Sequence, residues 1–180
     1  ESGADAVEVH LALPDPFAGQ PQMIYENVRL AAQILYRARA AVTVPVLARL
    51  GVFRSPRALH DTATKLAPWA SGFVLVHAFH RRVVDEKGTP AFEGPGRERA
   101  DVVGASLFPV ASRQVEEMLA WRRAGAWDRA VLAVGGISNE ERAHYLLREG
   151  ADAALVATAA LFDPHFAVRF RQTRAATAVA

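Results

Sequence analysis

Short apolar runs of strand length alternate along this chain with longer stretches whose apolar residues recur at helical spacing. Residues 130–138 and 153–159 carry the clearest pair of runs, and the segment 139–149 between them has helix length. Asn139 is placed to cap that helix and Gly150 to stop it. Strand, helix, strand with so few residues predicts a parallel right-handed crossover. Upstream, strands are expected at residues 6–11, 45–50 and 72–78, the last apolar throughout as a strand covered on both faces should be. Helices are expected over 23–41, over 56–67 behind the Ser55-Pro56 cap, over 108–123 with Val115, Met118 and Leu119 inward, and from Asp163-Pro164 to about residue 174 with a frayed tail at 175–180.

Residues 79–103 break the alternation. The segment is long and charged, and it carries Arg81, Arg82, Arg97 and Arg99. It reads as an insertion over a ligand site with a small hairpin around Lys87-Gly88, or equally as a solvated loop. About five β–α units in strict alternation predict an α/β protein with a parallel sheet and outer helices. A complete eight-stranded barrel takes about 250 residues, so the pattern predicts a partial TIM (β/α)8 barrel. Residues 1–10 echo residues 148–157 as a helix end, a glycine stop and a strand. With no initiator Met, the chain is expected to be the C-terminal portion of one barrel domain, spanning 1–180, whose upstream strands lie in a longer protein.

Composition narrows the chemistry. Of 180 residues, 51% are hydrophobic, enough for a real core. The absence of cysteine removes disulfides, thiolate metal ligands and any cysteine nucleophile. The net charge of +2 does not argue for nucleic acid. Apolar runs long enough to cross a membrane are absent, as is an opening signal, so a cytoplasmic protein without membrane or metal partners is expected.

Candidate site residues cluster at predicted strand ends. Gly135 and Gly136 let main-chain N–H groups approach a ligand, and Thr158 adds a hydroxyl at the end of the following strand. The last two strand-to-helix loops of (β/α) barrels are a usual phosphate site; a tight turn needing glycine for packing alone is the competing reading. His10, Arg49 and His77 fall at the same kind of position. His60, His144 and His165 lie on helices and read as surface residues.

The order of these motifs resembles the dihydroorotate dehydrogenase family. Residues 7–15 are similar to a strand ending in Asn-Leu-Ser-Cys-Pro-Asn, residues 19–25 to Gly-Lys-Pro-Gln-Leu-x-Tyr, and residues 44–50 to Pro-Val-x-Val-Lys-Leu. Gly72 to His77 falls where the family runs Gly-x-x-x-x-Asn, Gly104 falls in its glycine-rich segment, and residues 134–138 and 156–159 look like its flavin-phosphate loops. The resemblance implies FMN held by Arg49, Gly104, Gly135, Gly136, Ala157 and Thr158, and a substrate met by His10, Asp15 and His77. It also implies hydride transfer through the flavin to or from a small pyrimidine-like or CH–CH substrate. The family's Cys or Ser base falls on Leu13, and its Asn residues on His10, Asp15 and His77. A rebuilt substrate pocket is therefore expected, with His10 or His77 as acid or base. The implied partners are a small-molecule substrate and an electron acceptor of unspecified kind, with a homodimer left open. Two other readings stand beside this one: an inactive barrel that binds FMN or another phosphate ligand, and a dihydrouridine-synthase-like enzyme acting on RNA.

Overall fold

A computed structural model describes residues 3–19, 22–92, 94 and 99–177. Glu1, Ser2, Gln20, Pro21, Arg97 and the tail 178–180, all used above, lie outside the described residues. Five parallel strands form one sheet: β1 (Val7–His10), β2 (Val46–Leu50), β3 (Gly72–Leu75), β6 (Ala130–Val134) and β7 (Ala153–Leu155), in that spatial order. Helices α1 (Val28–Ala41), α2 (Pro56–Leu66), α3 (Phe108–Arg123) and α4 (Glu140–Arg148) connect them, and α5 (Thr158–Phe162) and α6 (Phe166–Thr177) follow. The sheet alternates with helices and is not closed. It is compatible with part of a (β/α) barrel.

Alternation along each strand divides the sheet into two faces. Val46, Ala48, Leu50, Phe73, Leu75, Val131 and Ala133 are buried in one core with Leu35, Leu59, Val115, Met118, Leu119 and Leu146 from the helices. Val115, Met118 and Leu119 thus point inward as their spacing predicts. Glu8, His10 and Arg49 project from the opposite face. Register places Val9 beside Ala48, Ala48 beside Phe73 and Phe73 beside Val131, so one apolar layer runs across four strands.

Local signals set most boundaries. Ser55 Oγ accepts from the Ala58 N–H at 3.2 Å with Pro56 at the first helical position, and Asn139 Oδ1 accepts from the Arg142 N–H at 3.0 Å. Gly150 adopts φ +109° just past α4. Several boundaries differ from the sequence expectation. The single helix expected at 23–41 is a 3-10 turn, Ile24–Glu26, followed by α1. Asn27 divides them, accepting from the Leu30 N–H while its amide donates to Asp15 Oδ2 at 2.9 Å. Helix α6 runs to Thr177, beyond the expected fraying point. In the apolar run 153–159 the strand itself ends at Leu155, and Thr158 follows it at the start of α5.

The segment 79–103 is ordered by an antiparallel pair, β4 (Phe79–Arg82) with β5 (Arg99–Val102). The expected turn at Lys87-Gly88 is present. Asp85 Oδ1 accepts from the N–H groups of Lys87 and Thr89, and a bridge joins Val84 to Pro90. The longer pairing below it has no counterpart in the sequence as alternating apolar residues. Two histidines expected at the surface are half-buried instead. His60 packs against Trp121, with ring centroids 4.9 Å apart, and His144 stacks on Phe170 at 4.5 Å. His165 is exposed as expected.

Replacing Asn139 by Ala leaves the α4 N–H groups without their cap and should lower stability by about 1 kcal/mol in a urea titration, with Asn139→Asp nearly neutral. Equal losses for both variants would contradict the cap.

Candidate functional site

Strand C-termini line one edge of the sheet, and the candidate residues collect there. His10 ends β1, Arg49 is the penultimate residue of β2, His77 lies two residues past β3, Gly135 follows β6 and Thr158 begins the helix after β7. His77 is held firmly, because its N–H donates to the Leu50 carbonyl at 2.9 Å.

Two cavities open beside this edge. One, of about 500 Å³, is lined by Arg49, His77, Gly104, Gly135, Gly136, Ala157 and Thr158, together with Ser138, Phe162 and Arg169. All six residues expected to hold a cofactor thus share one cavity with His77. The other, of about 750 Å³, is lined by Pro14, Tyr25, Phe53, Arg54 and Phe79, and by His77, His80, Arg99 and Asp101. His77 lines both. His10 and Asp15 line neither.

The Gly135-Gly136 turn has a packing reason of its own. Both residues adopt positive φ, +110° and +72°. A Cβ on Gly136 would lie 2.3 Å from the Phe108 nitrogen, and one on Gly135 would lie 3.0 Å from the Val76 carbonyl oxygen. Glycine is therefore required here whether or not a ligand binds. Among the described residues, the Gly135 and Gly136 N–H groups make no main-chain hydrogen bond, although both residues border the cavity. Arg142 pins this turn by donating from Nη1 to the Gly136 carbonyl at 2.8 Å, to the Ala105 carbonyl at 3.1 Å and to Ser138 Oγ at 3.0 Å.

Arg49 is not a free cation. It forms a forked pair with Glu8, at 2.6 Å from Nε and 3.1 Å from Nη2. The pair fixes the guanidinium at the rim and offsets much of its charge. Arg169 carries no mark in the sequence that sets it apart. Its Nε donates to Glu140 at 2.8 Å, and its guanidinium also bonds Asp163, holding that carboxyl below the usual range. Recognising either Glu8 or Arg169 requires knowing which elements become neighbours. The two-residue period that puts Glu8 and His10 on one face was the signal for Glu8.

Asp15 has a structural task. It is buried, and its carboxylate accepts from the Phe17 N–H and from Asn27 Nδ2, each at 2.9 Å. The expectation that it faces a substrate does not match this placement. Leu13, at the position of the family's base, is 46% exposed and lines neither cavity. His10 meets His77 edge to face with ring centroids 4.2 Å apart, and its buried Nε2 has no hydrogen-bond partner.

Both imidazoles titrate below the ordinary histidine value. For His10 the main cause is burial, reinforced by His77 and Arg49 and opposed by Glu8 and Asp101. For His77 burial again leads, with Arg49 in the same direction and Asp101 and Glu8 against. A depressed histidine stabilises the fold fully above its unfolded pKa and loses that contribution as pH falls through the folded value. Stability should therefore decline as pH is lowered from about 7 to about 5. Urea titrations of a His10→Asn, His77→Asn double variant should show a shallower decline, and an unchanged slope would contradict the assignment.

The sequence comparisons bear on this geometry. No family model matches the chain. The chain is similar to a protein named dihydroorotate dehydrogenase from Dictyostelium discoideum, 25% identical over 177 residues, covering 94% of this chain and 47% of that protein. The chain thus spans about half the length of the curated relative it matches, and the likeness supports a distant relationship.

Proposed function

We propose that this chain supplies the phosphate-binding side of an FMN-dependent oxidoreductase site on one arc of a (β/α) barrel, acting on a CH–CH bond in a small molecule. The observation that carries the reading is the cavity of about 500 Å³ shared by Arg49, His77, Gly104, Gly135, Gly136, Ala157 and Thr158. These residues come from separate crossovers, so their convergence is not a consequence of local sequence. The distant likeness to a dihydroorotate dehydrogenase supports the same chemistry.

The donor set suits a phosphate-bearing ligand. Gly135, Gly136, Ser138, Thr158 and Arg169 all line the cavity, so their N–H, hydroxyl and guanidinium groups are the donors at hand. Together they can place neutral donors around an anion, beside an Arg169 guanidinium that Glu140 and Asp163 also engage. Arg49, steadied by Glu8, would sit at the polar edge of the flavin ring. A flavin bound there supplies hydride chemistry.

The residues of this chain would orient the substrate and manage its proton. The larger cavity, about 750 Å³, meets the first at His77. A substrate there would present a C–H to His77, which would hold the proton removed from it, while a flavin in the first cavity would supply the two-electron acceptor. His77 is suited to accept the proton because its surroundings keep it neutral near pH 7. His10 would act by packing against His77, since its own ring reaches neither cavity.

Protein purified from flavin-replete cells should be yellow and should release FMN on denaturation. Thr158→Val keeps the side-chain shape and removes one donor, so it should weaken FMN binding about tenfold, measured by fluorescence quenching. A colourless protein that takes up no added FMN would overturn the proposal. Gly136 is a poor test position, because any side chain there collides with Phe108 irrespective of ligand.

A further inference from the structure

Asp101 links the hairpin to the sheet. It stands directly opposite His80 in the β4–β5 ladder, and its two oxygens serve different histidines. Oδ1 lies 2.9 Å from His80 Nδ1, a hydrogen bond. Oδ2 lies 3.7 Å from His77 Nε2, within ion-pair range and longer than a hydrogen bond. One carboxylate thus joins the hairpin to the imidazole that borders both cavities.

We propose that Asp101, steadied by His80, is the positioning residue for His77, holding the ring proton on Nε2 and leaving Nδ1 to exchange a proton with the substrate. The catalytic part of this statement rests on the oxidoreductase reading above; the pairing itself is a property of the chain.

A neutral imidazole carries its proton on either nitrogen, and a carboxyl group fixed 3.7 Å from one of them favours the form that turns its N–H that way, by electrostatic attraction and not by a hydrogen bond. Among the described residues, the side chains facing His77 leave one for that task. From β1 come the His10 ring and Glu8, from β2 comes Arg49, and from the hairpin come Asp101 and His80. Arg49 can only repel a proton on His77. Glu8 is engaged by Arg49 through two hydrogen bonds. Asp101 keeps one oxygen for His77. When the substrate proton arrives on Nδ1, the resulting imidazolium presents its Nε2–H to the Asp101 carboxyl group. A bound flavin would be the two-electron acceptor that balances this proton removal.

The pairing also explains the placement of the β4–β5 ladder, whose strands carry charged residues and no alternating apolar face. His80 and Asp101 are cross-strand partners, so forming the β4–β5 ladder is what delivers the carboxylate to His77. Asp101 is itself exposed, which makes its effect on His77 modest and sensitive to salt.

The test is a set of histidine ring nitrogen spectra of the intact protein, recorded by long-range proton–nitrogen NMR from about pH 5 to about pH 8. They are recorded for the wild type, Asp101→Asn and Asp101→Glu, with flavin content measured on each sample. In the wild type, neutral His77 should carry its proton on Nε2. In Asp101→Asn that preference should weaken and the titration midpoint should move down, Asp101→Glu should restore both, and flavin content should not change. Wild-type His77 protonated on Nδ1, or a titration unaltered by Asp101→Asn, would overturn the proposal. The wild-type spectrum decides alone if Asp101→Asn does not fold. Absence of bound flavin would count against the oxidoreductase reading, and the same spectra would still decide the pairing.

Discussion

Parallel pairing is the constraint from which the rest of this structure follows. Once β1, β2, β3, β6 and β7 run the same way, each chain reversal must cross over, and every strand ends at the same edge. Main chain emerging from five strands therefore converges there without any long-range signal in the sequence. The apolar layer through Val9, Ala48, Phe73 and Val131 fixes the register that makes the convergence accurate. A slip of one residue would turn Arg49 into the core and bring Ala48 to the rim.

Charge at that edge is balanced pair by pair. Glu8 answers Arg49, Asp101 answers His80 and reaches toward His77, and Asp163 with Glu140 answers Arg169. Such pairs between half-exposed groups contribute little to stability, on the order of 0–1 kcal/mol each. Their effect is geometric: they hold long side chains in one place beside the cavities. The two histidines are the exception, since burial and neighbouring positive charge keep them neutral. As neutral imidazoles they can accept a proton, which the guanidinium groups beside them cannot.

Much of the fold was legible because its signals are local. Ser55-Pro56, Asn139 and Gly150 mark helix ends through contacts within four residues, and α3 has the bounds its apolar spacing predicts. What escaped the sequence depends on distant partners. Asn27 ends one helical turn and starts another because Asp15 binds its amide. The β4 and β5 strands carry charged residues in place of an alternating apolar face, and they are specified by each other. The candidate site divides in the same way. Gly135, Gly136 and Thr158 could be placed from strand ends alone, whereas Glu8, Arg169 and Asp101 gain meaning only through neighbours in space. Asp15 carries a side chain of the expected polarity, but the loop it belongs to has already engaged it.

The central claim is that main chain and hydroxyl groups at the ends of β6 and β7 grip the phosphate of a flavin. A crystal structure of the protein grown with FMN tests it most directly. The account predicts phosphate oxygens about 3 Å from the Gly136 nitrogen and from Thr158 Oγ1, with the ring extending toward Arg49 and His77. Flavin bound elsewhere, or this cavity empty of it at saturating FMN, would contradict it.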